Sequence, residues 1–138
     1  MASFAYHSFL QTALKGDLDF DTVTFKCALT TSSYTPDKDH DFFNDVTNEV
    51  AASGTYAAGG GTATVTVTRD TANDRIDISL GAVSFTSATI TARYGVYYVE
   101  RAGASSTDDL VAVIDFGSDV TSTAGTWALT ASTLRFQF

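Results

Sequence analysis

From Thr22 to the end of the chain, apolar side chains return at every second position, with threonine, serine or a charge between them. Val23, Phe25, Cys27 and Leu29 alternate with Thr22, Thr24, Lys26 and Ala28. Val65 and Val67 alternate with Thr64, Thr66 and Thr68, and Ile76, Ile78 and Leu80 alternate with Arg75, Asp77 and Ser79. Successive side chains of an extended strand point to opposite faces, so a period of two separates a buried face from a wet one. About one residue in six is threonine, whose β-branched side chain suits a pleated, half-buried surface. Leu110, Ala112, Ile114 and Phe116 continue the phase, and Trp127, Leu129, Leu134, Phe136 and Phe138 supply a final hairpin or bent strand. Turn-forming residues divide the runs at 68–75, 103–109 and 117–125.

The run Thr89 to Glu100 is apolar on both sides. Ile90, Ala92, Tyr94, Val96 and Tyr98 are expected on one face, and Thr91, Arg93, Tyr97 and Val99 on the other. This pattern predicts a central strand, or one covered by another protein. A single segment departs from the period of two. Tyr6, Phe9, Leu10, Ala13 and Leu14 form an apolar stripe of helical period, which predicts a helix over Phe4–Leu14 with Ser3 as N-cap. Gly16 sits where a left-handed residue would end that helix, and Lys15 suits the negative end of its dipole. So short a helix must dock, either on its own sheet or on a neighbouring subunit.

The expected fold is therefore all-β: an antiparallel β-sandwich, jelly-roll or immunoglobulin-like, of about seven or eight strands with a short N-terminal helix. Residues 1–21 form a helix or arm packed on the domain or a neighbour, and 22–138 form one sandwich domain. No helical stretch separates the strands, so a βαβ arrangement is excluded. Residues 31–61 are the least regular part, with Pro36, an acidic stretch around Phe42 and Phe43, and Gly59 to Gly61. A segment this long without secondary structure is expected to be functional or packed against a partner.

Charge narrows the functional classes. With 8 basic and 16 acidic residues the net charge is −8, the wrong sign for tracking nucleic-acid phosphates or binding an anionic membrane. No run approaches the roughly 18 apolar residues of a membrane span, and the N-terminus lacks the basic and apolar regions of a signal peptide. Cys27 is alone and in phase with Val23, Phe25 and Leu29, so it reads as a small buried hydrophobe rather than a reactive thiol or metal ligand.

Chemistry-bearing motifs are sparse. Asp37, Asp39 and Asp41 alternate as calcium ligands do, and so do Asp17, Asp19 and Asp21. In the first of these the glycine and glutamate of a calcium loop are replaced by Phe42 and Asn48, so solvated loop acids are expected. His7 and His40 lie near no recognisable nucleophile, and Gly59 to Gly61 is followed by neither the lysine nor the helix of a phosphate loop. No catalytic, cofactor-binding or metal residue is expected, although paired carboxylates of a small glycosidase would be visible only in space. Aromatics stand out instead, with ten phenylalanines and six tyrosines. Those in loops and near the termini (Phe4, Tyr6, Phe9, Phe42, Phe43, Phe136 and Phe138) are the expected anchors of an interface with another protein.

Several stretches occur in a familiar order: Gly16 to Asp21, Thr24 to Asp41, Asn48 to Val50, Gly54 to Gly60, Val67 to Asp70, Ala88 to Tyr94 and Val113 to Gly117. Together they resemble a family of small virion structural proteins of tailed bacteriophages, over nearly the whole chain. The resemblance implies a non-enzymatic virion component without a cofactor, most simply a head decoration or cement protein bridging neighbouring subunits. It also implies the major capsid protein or other virion proteins as partners, a dimeric or trimeric homo-oligomer, and a location on the particle after synthesis in the host cytoplasm. The alternative is a tail- or fibre-associated structural module, or one that binds a receptor or glycan through rings such as Tyr94 and Tyr97.

Overall fold

The computed structural model describes residues 2–138, so the first residue of the expected 1–21 arm lies outside the described residues. The described chain is a mostly antiparallel β fold of two sheets with one short helix. Its elements are β1 (Phe4–Ala5), α1 (His7–Lys15), β2 (Thr24–Thr30), β3 (Gly61–Ala63), β4 (Val65–Asp70), β5 (Arg75–Leu80), β6 (Val83–Glu100), β7 (Leu110–Leu129) and β8 (Ser132–Gln137). One sheet has the order β1-β7-β6-β2-β3, and the other β4-β5-β8. The chain passes between them at Thr64, at Gly81 and Ala82, and at Thr130 and Ala131. All three crossings lie at one corner, because Val65 and Ser132 both pair with Leu80 while Val83 pairs with Leu129. There the Gly81 N–H donates to the Thr64 carbonyl at 2.7 Å, and the Tyr97 hydroxyl donates to the Gly81 carbonyl at 2.8 Å.

The main core fills the space between the sheets. It gathers Phe25, Cys27 and Leu29 from β2, Ile78 and Leu80 from β5, and Trp127 from β7. Cys27 is fully buried, and burial pushes its thiol up to about 12, so it packs as the hydrophobe its phase implied. Full burial of a side chain such as Leu29 beside it contributes about 1.5–3 kcal/mol. A second core lies on the outer face of the five-stranded sheet, where Ala28, Tyr94, Val96, Tyr98, Leu110 and Val113 gather with Tyr6 and Tyr34.

That second core corrects the expected face assignment of β6. Ala88, Ile90 and Ala92 face the main core, but Tyr94, Val96 and Tyr98 face the outer one, while Tyr97 and Val99 point inward. The reversal occurs at a bulge between Ala92, opposite Val120, and Tyr94, opposite Asp115, where β7 carries three extra residues. Gly117 occupies the left-handed region there, at φ 81°. Arg93 donates through Nε to Asp115 Oδ1 at 2.8 Å, and the same oxygen accepts the Gly117 N–H at 2.8 Å. The glycine-bounded segment 117–125, expected as a turn, is thus a continuous part of β7, its irregularity absorbed as bulges rather than as a chain reversal.

The helix also starts later than expected. Tyr6 is the N-cap residue and makes no side-chain capping bond, whereas the Ser3 hydroxyl accepts the Asp115 N–H at 2.8 Å. Pairing of Phe4 with Val113 and Ala5 with Ala112 draws the first residues into the sheet, so the helix forms only beyond them. Its C-terminal end is as the sequence implied, with Gly16 left-handed at φ 82°. Residues 31–46 cover the outer core of their own chain, with Tyr34 and Pro36 buried and Phe43 stacked on Tyr98 at 4.0 Å between ring centroids, while Val50 and Tyr56 further along join the main core.

Two glycines with the same backbone angle separate strain from packing. A Cβ on Gly60, also at φ 82°, would overlap the Cys27 carbonyl, whereas one on Gly16 meets nothing within 4 Å. Urea unfolding should show Gly60→Ala destabilised by about 2–4 kcal/mol and Gly16→Ala by only about 1 kcal/mol. Equal losses would contradict the packing at Gly60. Hydrogen bonding from Arg93 also holds the Asp115 carboxyl below the usual carboxylate range. Its stabilising contribution is complete above about pH 4 and is lost as pH falls through the folded-state value. The stability gap between the natural chain and Asp115→Asn should therefore narrow from pH 7 to pH 3; a constant gap would remove the ion pair as its cause.

Candidate interaction surface

The expected anchor residues do not gather at one place. Tyr6 and Phe9 are each 1% exposed, the first in the outer core and the second in the main one. Phe9 packs edge-on against Phe20 at 6.1 Å. Their rings face their own chain and offer no surface to another. Phe4 and Phe43 are half-buried against the outer core, and Phe42 is half-buried where it bridges to Asp109. Phe136 packs on the main core from β8. Phe138 alone of the set is open, at 81% exposed.

What these residues build is a closure between the N-terminal segment and the acidic loop. The Tyr6 and Tyr34 hydroxyls lie 3.0 Å apart, and the Tyr34 hydroxyl is 3.1 Å from His40 Nδ1. One turn away, the His7 N–H donates to the Lys38 carbonyl at 3.0 Å, and His7 Nδ1 lies 2.9 Å from Asp39 Oδ1. Lys38 Nζ rests 5.7 Å from the centre of the Phe4 ring. The two histidines therefore meet at one seam, although nothing in their spacing implied it. The alternating aspartates act locally: Asp37 Oδ1 accepts the Asp39 N–H, and Asp45 Oδ2 accepts those of Asp41 and Phe42. Among the described residues no group of three or more metal-ligating side chains converges.

Buried acids occur at the β6–β7 turn, Asp109 held by the Arg101 guanidinium and Asp108 by the Arg101 backbone amide. Asp109 Oδ2 accepts from Arg101 Nε at 2.5 Å, and Asp108 Oδ1 accepts the Arg101 N–H at 2.8 Å. Glu49 accepts the Tyr56 hydroxyl at 2.7 Å and the Gly59 N–H at 2.6 Å, fixing the loop onto β2. A glycosidase acid is kept protonated by burial against apolar groups. Asp19, Asp21, Asp37 and Asp39, which line the two grooves beside α1, are all exposed.

The feature that sequence reasoning missed lies further along the helix, C-terminal to the seam. Only part of the apolar stripe docks: Phe9 is buried and Ala13 packs on the core, but Leu10 is 41% and Leu14 78% exposed. Beside them Val67 of β4 is 47% exposed, where the alternation placed it on the buried face. A groove of about 670 Å³ runs between α1, the turn 16–21 and the small sheet, lined by Leu10, Ala13, Leu18, Phe20, Val67 and Ile78. Asp19 and Asp21 stand at it. The stripe itself was the available signal, because it is wider than one short helix can bury on one partner. Comparisons with family models, with curated proteins and with solved structures find no match to this chain.

The tyrosines give this packing a pH signature. Burial raises the hydroxyls of Tyr6, Tyr34, Tyr56, Tyr97 and Tyr98 above their ordinary value. A raised acid stabilises the fold fully below its unfolded value near pH 10, and that contribution is lost as pH rises further. Absorbance at 295 nm should therefore show these five ionising in one cooperative step together with loss of circular dichroism. Gradual ionisation near pH 10 of a chain that stays folded would contradict their burial.

Proposed function

We propose that this protein is a non-enzymatic structural component of a tailed-bacteriophage virion, acting as a head decoration protein that bridges neighbouring subunits. The reading rests first on the ordered stretches from Gly16 to Gly117 that resemble that family. The single structural observation in its support is the half-docked helix, on which Leu10 and Leu14 remain open beside Val67 of β4. Two cores share one rigid sheet, which suits a load-bearing clamp, and exposed aliphatic side chains suit attachment. No observation favours the glycan-binding alternative, since Tyr94 and Tyr97, the rings it relies on, are buried.

Purified protein added to phage heads that lack it should co-sediment with them and raise the temperature at which they release DNA. Failure to bind heads, or binding without any gain in particle stability, would overturn the decoration reading. Binding to tails instead would move the protein to that part of the particle.

A further inference from the structure

We propose that the groove between α1 and β4 is the docking site for a segment of a different protein that carries aliphatic anchors flanked by lysines or arginines. The inference rests on the reading above only for the identity of the particle; the site itself is argued from its chemistry. The floor is apolar, with Phe9, Leu18 and Ile78 nearly closed to solvent beneath Leu10 and Val67. Leu14 extends the same helix face by one turn. An exposed apolar strip that continues into a groove gains by being covered.

Charge selects what covers it. None of the residues lining the groove is a cation, and Asp19 and Asp21 stand at it without an ion pair among the described residues. Elsewhere four of the five arginines are matched to acids: Arg75 to Asp70 and Asp77, Arg93 to Asp115, Arg101 to Asp109, and Arg135 to Asp77; Arg69, exposed on β4 beyond the groove lining, forms no ion pair among the described residues. The rim is therefore an unmatched negative edge on a molecule of net charge −8. A second copy seated here in two-fold fashion would bring the same two acids against them, which costs binding energy. Three exposed aliphatic side chains also fall short of the roughly 800 Å² per partner that a stable dimer needs. An anionic lipid surface or a nucleic acid would meet the same repulsion. A basic segment with one or two aliphatic anchors fits both the floor and the rim.

The test uses a fluorescein-labelled amphipathic Leu/Lys peptide of 14 residues and, as control, the same composition scrambled so that no apolar face forms. Fluorescence anisotropy should show saturable binding of the first, with amide shift changes in 15N-edited spectra concentrated at Leu10, Leu14, Asp19 and Val67. Leu14→Asp, a change at a side chain open to solvent, should weaken binding about tenfold or more. The pair Asp19→Asn and Asp21→Asn should weaken it several-fold and flatten its salt dependence, whereas Asp74→Asn with Asp119→Asn, equal in charge change, should not. Equal effects of the two pairs, equal binding of the scrambled peptide, or shifts spread over the whole acidic surface would overturn the proposal. So would a dimer in sedimentation velocity that Leu14→Asp dissolves, because the occupant would then be a second copy. If heads bind the protein and Leu14→Asp changes nothing in either assay, the docking site is lost and the decoration role stands. If the peptide maps to the groove and heads are not bound, the reverse holds.

Discussion

The Arg93–Asp115 pair at the β6–β7 bulge is the interaction on which the architecture turns. A strand has two faces, and without an interruption β6 would present Ile90, Ala92, Tyr94, Val96 and Tyr98 to a single side. The change of face between Ala92 and Tyr94 coincides with three extra residues in β7, closed by the hydrogen bonds of Asp115 to Arg93 and to the Gly117 N–H. One half of the hairpin then serves the core between the sheets, and the other half faces both that core and the outer one. Charge burial at such a place is tolerable because Asp115, with its side chain 3% exposed, is matched by a cation on the opposing strand.

An outer core requires a cover, and the cover comes from segments with little regular structure of their own. Tyr34, Pro36, Phe43 and Val46 lie over the sheet, while the first residues add a short edge strand and Tyr6. Backbone groups in that cover are satisfied by specific acceptors, such as Asn48 for Thr31 and Leu29 for Val50, so a long irregular segment can be buried without losing hydrogen bonds. Tyrosine suits this layer because its ring supplies apolar area while its hydroxyl reaches a partner. Tyr6, Tyr34 and Tyr98 all do so, and the Tyr98 hydroxyl donates to the Gly59 carbonyl at 2.6 Å. Phe43 is part of this cover, while Phe42 pairs with Asp109 beside it.

Much of the fold was legible in the sequence, and the rest failed for identifiable reasons. β2, β4 and β5 lie along the chain where alternation placed them, because each is a short uninterrupted strand, although Val67 of β4 is open and Ala28 of β2 is buried in the outer core. The 117–125 segment was misread since glycine marks both turns and bulges, and only pairing with β6 distinguishes them. Ser3 looked like an N-cap, but local capping preference yielded to strand pairing of Phe4 and Ala5 with β7. The aromatic residues of the loops and termini scatter, because burial there depends on tertiary packing: Phe4, Tyr6 and Phe43 join an outer layer that periodicity could not reveal, Phe9 and Phe136 pack on the main core, and Phe138 stays open. The exposed strip was within reach of the helical stripe, yet which half of a stripe docks is a property of the partner surface.

By itself the sequence determined an all-β chain with one short helix, a buried thiol and an acidic surface, because these follow from period, phase and composition, all of which are local or additive. Tertiary structure decided where β6 changes face, what covers the outer sheet, how His7 and His40 come to share a seam, and that Leu10, Leu14 and Val67 remain open beside Asp19 and Asp21. Each of those depends on contacts between residues far apart in the chain, and no local pattern carries the energy of a pairing that has yet to form.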